Sequence, residues 1–473
     1  MKHIFTSILA LGLLSSLPAS ALEISVTPGD LKSKYADLTN TLDNTLKLTG
    51  SADVRDLALL KNMSASIKTL DLSSLDIAAY DYPSGESYMG KASFMGGEIP
   101  PYIMTGSHIT SIILPEKLSK IGESAFVASC IESVDFPSKL QEIGNYAFAN
   151  ADNLKKVVLH NSAKLGIGVF KDCDALKDVI FEYDVKEIPD SFFDGCVSFS
   201  SDIPSSVKTI GAFAYRGTAG DLIDLTNVSS VGEYAFADMK NLEEIIIVQN
   251  SDLSLGKGAF FNDGALEMLP SFTTDMQQSV FSHTSGIING VIYSKTIGAG
   301  AYANNESIDS VFFGSNVEEI GPHAFRNARN LELVDVSAKK GDVIKVDKDA
   351  FSGCEDENGE YKHINLNVED GMAENWENDP VWSLFNIGHF DTGVEDIIAD
   401  ASVDIKIRKA GNGVEVVSSR PLDYIGIFSV SGITLYEAKP GVAEVTVGGI
   451  NPADDVIVVK VISSGISKIA KLK

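Results

Sequence analysis

The chain contains few cysteines and tryptophans, and its basic residues are outnumbered by acidic ones. Its 473 residues contain 4 Cys and 2 Trp, and 38 Lys and Arg are outnumbered by 65 Asp and Glu, which gives a net charge of −27. Phosphate binding needs clustered Lys and Arg, so this balance argues against a nucleic-acid partner. An acidic surface is typical of a protein that stays soluble in a crowded exterior.

Catalytic and metal-binding motifs are also missing. The seven histidines form no H-E-x-x-H motif, the cysteines form no C-x-x-C pair, and neither a G-x-S-x-G elbow nor a phosphate-binding loop occurs. The acidic run EDENGE at 355–360 departs from an EF-hand, because Gly359 comes too soon after Asp356. The sequence therefore predicts a protein that is not an enzyme, with no catalytic, cofactor-binding or metal-binding residue.

No apolar run is long enough to cross a bilayer, which takes about 20 residues. The longest begins after the basic pair KH, covers residues 4–17, and is followed by the small-residue tripeptide ASA at 19–21. This order is typical of a cleavable signal peptide. We therefore predict a signal peptide over 1–21, no transmembrane segment, and export to the cell surface or the medium, with the periplasm as the alternative.

One short phrase recurs through the middle of the chain. It reads KIGESAF at 120–126, EIGNYAF at 142–148, SVGEYAF at 230–236 and EIGPHAF at 319–325. The aromatic residues that end each copy follow one another at steps of 21 to 26 residues, a period typical of leucine-rich repeats. They are Phe126, Phe148, Phe170, Phe193, Tyr215, Phe236, Phe260, Phe281, Tyr302, Phe325 and Phe351.

A second phrase lies between successive aromatics, as in IESVDFP at 131–137 and LKDVIFE at 176–182. Apolar residues take its first, fourth and sixth positions, and this alternation predicts a short strand with one buried face. One unit cannot bury its own apolar face, whereas stacked units share a continuous core. The sequence thus predicts a repeat solenoid of eleven or twelve units, with one short strand per ~22-residue repeat in a single parallel sheet. The Gly of each IG pair is expected to take a positive φ or to permit a close approach.

The four cysteines keep the register of the repeat. Cys173, Cys196 and Cys354 each lie three residues after an aromatic, and Cys130 lies four after. Other repeats have Ala at this position, so we predict small buried sites holding thiols that form no disulfide. A Cys173–Cys196 bridge is the alternative, because adjacent repeats would stand about 4.8 Å apart.

The combined pattern, IG..AF...(C/A)..L..V.(L/F)P, resembles the BspA-type leucine-rich repeats of bacterial surface proteins over residues 100–355. Residues 46–75 are similar to the atypical first repeat of that family. The stretch INLNVEDG, together with Trp382, Phe385 and Ile387, is similar to its closing repeat, although the usual VP.G is changed to VEDG. The resemblance implies surface exposure, adhesion or protein binding.

The pattern changes near residue 393 to short alternating strands separated by Gly, Pro and Asp, which predicts a small antiparallel sandwich. YIGIFSVSG at 424–432 and the last sixteen residues resemble the C-terminal sorting domain of Por-type (type IX) secretion, although the usual G.Y is absent. An ordinary sandwich is the alternative. The predicted domains are the signal peptide (1–21), an N-terminal cap with atypical first repeats and an insertion (22–107), the solenoid (108–355), a closing repeat with an acidic linker (356–392), and the C-terminal sandwich (393–473).

Two surfaces are candidates for binding. The fifth position of the second phrase points away from the core, and its apolar members form a candidate partner-binding face: Ile113, Val158, Ile180, Ile246 and Phe312. The preference of β-branched residues for strands would also explain this column. The leading hypothesis is an extracellular protein partner, from the host matrix or a microbial surface. The alternative is a glycan that stacks on the insertion at 78–104 through Tyr80, Tyr82, Tyr88 and Tyr102.

Overall fold

The structure is a computed structural model, and it consists of two compact units, Met1–Tyr183 and Asp184–Lys473. The predicted signal peptide lies outside the described residues. Those residues are 22–38, 44–63, 67–247, 253–266, 275–284, 286, 289–339, 342–388, 405–410, 413–418, 420–429, 434–450, 457–463 and 466–472.

In the first unit, each repeat supplies what we call a primary strand, formed by the second phrase. Val134, Val157 and Val179 point into the core, and their neighbours point outward. The primary strands continue a parallel sheet that begins in the cap. Its order is Leu22–Val26, Asn44–Ala52, Ile67–Asp71, Ser111–Ile113, Ser133–Asp135, Lys156–Leu159 and Asp178–Phe181, with Leu75–Ile77 also paired to Asn44–Ala52.

Two helices, Leu31–Leu38 and Val54–Met63, belong to the cap. The buried Asp56 carboxylate joins the start of the first helix to the second. It accepts backbone N–H groups from Gly29 at 2.7 Å, Leu31 at 3.0 Å and Asp53 at 3.1 Å. These donors satisfy a carboxylate that would otherwise be costly to bury.

Each of these repeats also contains a second strand of two residues, which we call the secondary strand. It lies directly before the IG glycine or its equivalent. In the first unit the secondary strands form a four-stranded parallel sheet of Glu98–Ile99, Lys120–Ile121, Glu142–Ile143 and Lys164–Leu165. A two-residue strand is too short to show an alternating pattern, so the sequence predicted only the primary strand. The insertion contributes an antiparallel pair, Tyr80–Asp81 with Ser93–Phe94.

The glycine of the IG pair permits a close approach to the backbone of the preceding repeat. A Cβ on Gly122 would lie 2.5 Å from the backbone nitrogen of Pro101, and one on Gly166 would lie 2.6 Å from that of Asn145. Positive φ occurs two residues later instead, for example 51° at Ser124. Of the two explanations for this glycine, the structure therefore supports the steric one.

The second unit also contains repeats with primary and secondary strands. Among its described residues the primary strands form two parallel sheets, where a single sheet was expected: Leu222–Asp224 with Glu244–Ile246, and Asn289–Ile292, Ser310–Phe313, Leu333–Asp335, Tyr361–Asn367 and Phe385–Gly388. Its secondary strands are Glu187–Ile188, Thr209–Ile210, Ser230–Val231 and Ser254–Leu255 in one sheet, and Thr296–Ile297, Glu319–Ile320 and Lys345–Val346 in another. The short helices are Ser337–Lys339, Ala373–Glu377 and Trp382–Leu384.

The recurring aromatics form ladders inside both units. In the first unit, the Phe148 ring lies 4.9 Å from that of Phe126 and 5.9 Å from that of Phe170. In the second unit the ladder runs from Tyr215 to Phe351 with ring centroids 5.3 to 5.8 Å apart. Stacking of the repeat aromatics confirms the predicted solenoid. Trp382 packs against the end of this ladder and donates its Nε1–H to the carbonyl of Ile344 at 2.8 Å.

The described residues from 405 onward form an all-β domain with two antiparallel sheets. One contains Ile405–Ala410, Gly413–Ser418 and Glu444–Val447, and the other contains Thr434–Ala438, Tyr424–Ser429, Ile457–Ser463 and Ile466–Leu472. A core of Val, Ile and Leu side chains, including Val416 and Ile427, lies between them. We call this the C-terminal domain.

Candidate functional site

Three of the five candidate partner-binding residues lie on the outer face of the primary sheet in the first unit. Val158 stands in register between Asp135 and Ile180, and the strand that ends at Ile113 pairs with the strand of Asp135. Ile113 and Ile180 are 41% and 40% exposed, whereas Val158 is half-buried. These three side chains therefore share the outer face, where Asp135 interrupts the apolar column.

A charged cluster that the sequence did not indicate borders this column. The His160 ring lies with Nε2 at 2.6 Å from an Asp135 carboxylate oxygen and Nδ1 at 2.6 Å from one of Glu182. Burial lowers the pKa of His160, but the hydrogen bonds and charges of the two carboxylates outweigh it, so the net effect is a raised pKa. The repeat period was the available signal, because Glu182 follows His160 by 22 residues.

The other two candidates lie in the second unit and differ from each other. Ile246 is exposed and stands in register with Asp224. Phe312 is on the outer face too, in register with Val291 and Asp335, but it was expected to be exposed and is buried. Its ring packs in one cluster with Tyr293 and with Phe428 of the C-terminal domain.

Three of the four candidate sugar-binding tyrosines gather around Phe94. Tyr80 and Tyr82 meet edge to face at 4.9 Å, and the Tyr88 ring lies 6.1 Å from Phe94. The guanidinium of Arg55 lies 4.0 Å above the Tyr80 ring and occupies one of its faces. The faces of Tyr82 and Tyr88 are thus the better candidates for a sugar ring.

Tyr102 contacts the repeats instead. Its hydroxyl donates a hydrogen bond to Glu123 at 2.8 Å, and its φ of 58° matches the left-handed residue of the following repeats. Among the described residues, no ring contact links it to the other three tyrosines. The insertion therefore brings together three of the four candidate tyrosines.

A groove of about 320 Å³ crosses the secondary sheet beside the insertion. Its walls alternate in charge through Lys91, Glu98, Lys120, Glu142 and Lys164. Lys91 pairs with Glu98 at 3.2 Å and Lys120 with Glu142 at 3.1 Å, so much of this charge is neutralised internally.

Comparison with known families assigns the repeats. A family described as "BspA type Leucine rich repeat region (6 copies)" matches residues 97–219, 163–288 and 229–358. Together these ranges run from 97 to 358, which is more than half of the 473 residues. The chain belongs to the BspA-type leucine-rich repeat family.

Solved structures are similar to this BspA-type chain. A leucine-rich repeat protein from Bacteroides ovatus ATCC 8483 is 22% identical, covers 72% of this chain and 84% of its own length, and has a TM-score of 0.55. A leucine rich cell surface protein from Faecalibacterium prausnitzii A2-165 is 19% identical over 66% of this chain and 89% of its own, with a TM-score of 0.38. No curated protein matches the sequence.

The part of this BspA-type chain that the structure describes has neither a metal-binding cluster nor a membrane-spanning helix. There, no three side chains of His, Cys, Asp or Glu come together at a spacing that would hold a metal ion. No helix of that part is both long and apolar enough to cross a membrane.

Proposed function

We propose that this BspA-type protein is an exported, non-catalytic binding protein that engages an extracellular protein through the outer face of its primary sheet. The observation that carries the proposal is the exposure of Ile113 and Ile180 on that face. Both residues are held by a hydrogen-bonded sheet, so little backbone freedom is lost when a partner binds. Membership of the family supports a role in protein interaction or adhesion in general.

The partner that fits this face has an apolar centre and a basic or hydrogen-bonding rim. Ile113, Val158 and Ile180 supply the apolar contacts, while Asp135 and Glu182 beside them are acidic. Charged rims of this kind guide association and select partners more than they add affinity. A protein of the host matrix or of another microbial surface is the partner class that we propose.

The test is a binding screen of the mature protein against extracellular-matrix proteins and glycans, followed by variants. Replacing both Ile113 and Ile180 by Asp should abolish binding of a protein partner, because a charge on a desolvated apolar surface is strongly unfavourable. Ile167→Asp is the matched control, since Ile167 is also 41% exposed in the same unit but lies outside the primary strands. Binding that survives the double variant would refute this face.

A glycan partner is the second candidate, and the cluster of Tyr82 and Tyr88 beside the polar groove favours it. Lys91 joins the two features, because its ammonium lies 4.7 Å from the Phe94 ring and its side chain lines the groove. The double variant Tyr82→Ala with Tyr88→Ala should then remove glycan binding and leave protein binding intact. Glycan binding that survives in this variant would exclude the insertion as the glycan site.

Export rests on the signal-peptide features of residues 1–21, and passage to the surface rests on the likeness of the C-terminal domain to type IX sorting domains. N-terminal sequencing of the exported protein should begin at Leu22. Deleting 394–473 and fractionating the cells tests the second part. Unchanged delivery to the surface would make the C-terminal domain an ordinary sandwich.

A further inference from the structure

The outer sheet face of the second unit is covered by a residue of the C-terminal domain. Phe428 and Phe312 are each 6% exposed, Tyr293 is fully buried, and Leu333 packs against the three rings. Phe312 and Leu333 belong to neighbouring primary strands, at the positions that face away from the repeat core. The contact therefore uses the same kind of surface that Ile113 and Ile180 leave exposed in the first unit.

Phe428 faces away from the core of its own domain. Ile425 and Ile427, on the same strand, point between the two antiparallel sheets and belong to the core there. Side chains alternate along a strand, so Phe428 points to the opposite side, and it is absent from that core. An isolated C-terminal domain would expose this ring to water, and the repeats are what bury it.

Polar groups accompany the rings across the same contact. The ammonium of Lys439 lies 2.5 Å from a carboxylate oxygen of Glu244, which belongs to a primary strand of the repeats. Within the C-terminal domain, Tyr424 lies on the same face of the strand as Phe428 and donates its hydroxyl to Glu437 at 2.9 Å. Because the ion pair is exposed, it adds little to the stability of the contact. It acts mainly on the orientation of the C-terminal domain.

The contact also has features of a reversible one. The Tyr293 hydroxyl is buried and has no hydrogen-bond partner among the described residues, a loss that water would repair once the domain moved away. Three aromatic rings at about 150–250 Å² each contribute roughly 450–750 Å² of buried surface, which is less than the roughly 1,200 Å² of a stable interface between separate proteins. Covalent linkage compensates, because a tethered domain acts at an effective concentration in the millimolar range.

We propose that the C-terminal domain is a built-in, reversible occupant of the sheet face formed by Tyr293, Phe312 and Leu333. A protein that binds this face must displace it, presenting an aromatic side chain in place of Phe428 and a cation in place of Lys439. The displacement rests on the proposed function, whereas the docking itself does not and is measured separately.

Docking is tested on the full chain by zero-length carbodiimide crosslinking and mass spectrometry. Contact at 2.5 Å should give an amide between Lys439 and Glu244. Phe428→Ser and, on the repeat side, Phe312→Ser should each lower its yield about tenfold, since each removes a buried aromatic side chain from the docked state. The crosslink between Lys120 and Glu142, 3.1 Å apart in the first unit, is the internal reference and should not change.

Val442→Ser is the matched control variant, because Val442 is an exposed apolar residue of the same domain and should leave the yield unchanged. Hydrogen exchange of Gly413–Ser418 shows that the domain stays folded in each variant. Absence of the Lys439–Glu244 crosslink in the unaltered protein, or a yield that neither Phe variant lowers, would overturn the docking.

Displacement is tested with the protein partner found in the screen. Phe428→Ser should tighten its binding about tenfold, because the second unit's face is then free, and Phe312→Ser should weaken it. Docking confirmed by crosslinking with no change of affinity in either variant would refute the competition while leaving the docking in place. If the Phe variants lose the crosslink but the screen finds no partner, the docking stands and only the proposed function is refuted.

Discussion

A Cβ atom on Gly144 would lie 2.6 Å from the backbone nitrogen of Glu123 in the preceding repeat. Real Cβ atoms do not come so close to backbone, so the two repeats would have to separate. The strands of neighbouring repeats are hydrogen-bonded at about 4.8 Å, which leaves no room for such a shift. This glycine therefore permits the close approach of successive repeats.

Gly144→Ala should lower the free energy of unfolding by at least about 1–3 kcal/mol, the range of overpacking in a close-packed interior. Gly106→Ala is the control. A Cβ on Gly106 meets nothing within 4 Å, so the substitution adds only the strain of a left-handed φ of 67°, about 1 kcal/mol, and Ala128 adopts a similar φ of 55° one repeat later. Urea denaturation compares the two. Equal midpoints for Gly144→Ala and the unaltered protein would show that the repeats tolerate the separation.

The features that the sequence predicted are those that the repeat shows many times over. The aromatic ladder and the inward valines such as Val157 are specified by local alternation and by a constant period. The secondary strands escaped prediction because a pair such as Glu142–Ile143 is too short to carry a pattern.

The candidate site was less predictable because its properties depend on distant parts of the chain. Phe312 has the outward position that the pattern assigns, yet Phe428, more than a hundred residues later, buries it. The contact of His160 with Asp135 and Glu182 likewise joins three repeats. Periodicity places residues on a face, but it does not show which of them another domain covers.

Phe236 should be among the most sensitive positions of the second unit. Its buried ring stacks between those of Tyr215 and Phe260, with centroids 5.4 Å from each. Phe236→Ala should destabilise the protein by about 3–5 kcal/mol, because a cavity would open in the ladder. Phe213→Ala is the control, since that half-buried ring stacks on Tyr234 outside the core ladder and should cost about 1 kcal/mol. Thermal and urea unfolding measure both variants, and an equal loss of stability in Phe236→Ala and Phe213→Ala would contradict the role of the ladder.

His160 should titrate above its ordinary pKa of about 6.5. When the ring is protonated, both N–H groups donate to the carboxylates of Asp135 and Glu182. The stabilisation is fully present below pH 6.5 and is lost as the pH rises through the raised pKa of the folded state. A histidine titration by NMR measures this pKa. Asp135→Asn with Glu182→Gln should lower it, and an unchanged titration in that variant would show that the carboxylates have no influence.

The thiols are expected to react according to burial. None of the four cysteines is in a disulfide, and Cys354 is buried, with its Sγ 3.4 Å from the carbonyl oxygens of Phe325 and Ala328. Burial raises the pKa of Cys354 to about 12, so its thiolate, the reactive form, is scarce in the folded protein at pH 8. Half-buried Cys130 should be alkylated first, and Cys354 only after unfolding.

The same shift makes stability depend on alkaline pH. Unfolded Cys354 ionises near its ordinary pKa of 9.0, whereas the folded thiol stays protonated to about pH 12, so between these values stability falls as the pH rises. Cys354→Ala should remove this part of the dependence, and urea midpoints at pH 8 and pH 10 measure it. After denaturation without reductant, alkylation should add four labels. Three results would contradict this account: native Cys354 reacting as fast as Cys130, a Cys173–Cys196 disulfide in the digest, or the same pH dependence in Cys354→Ala.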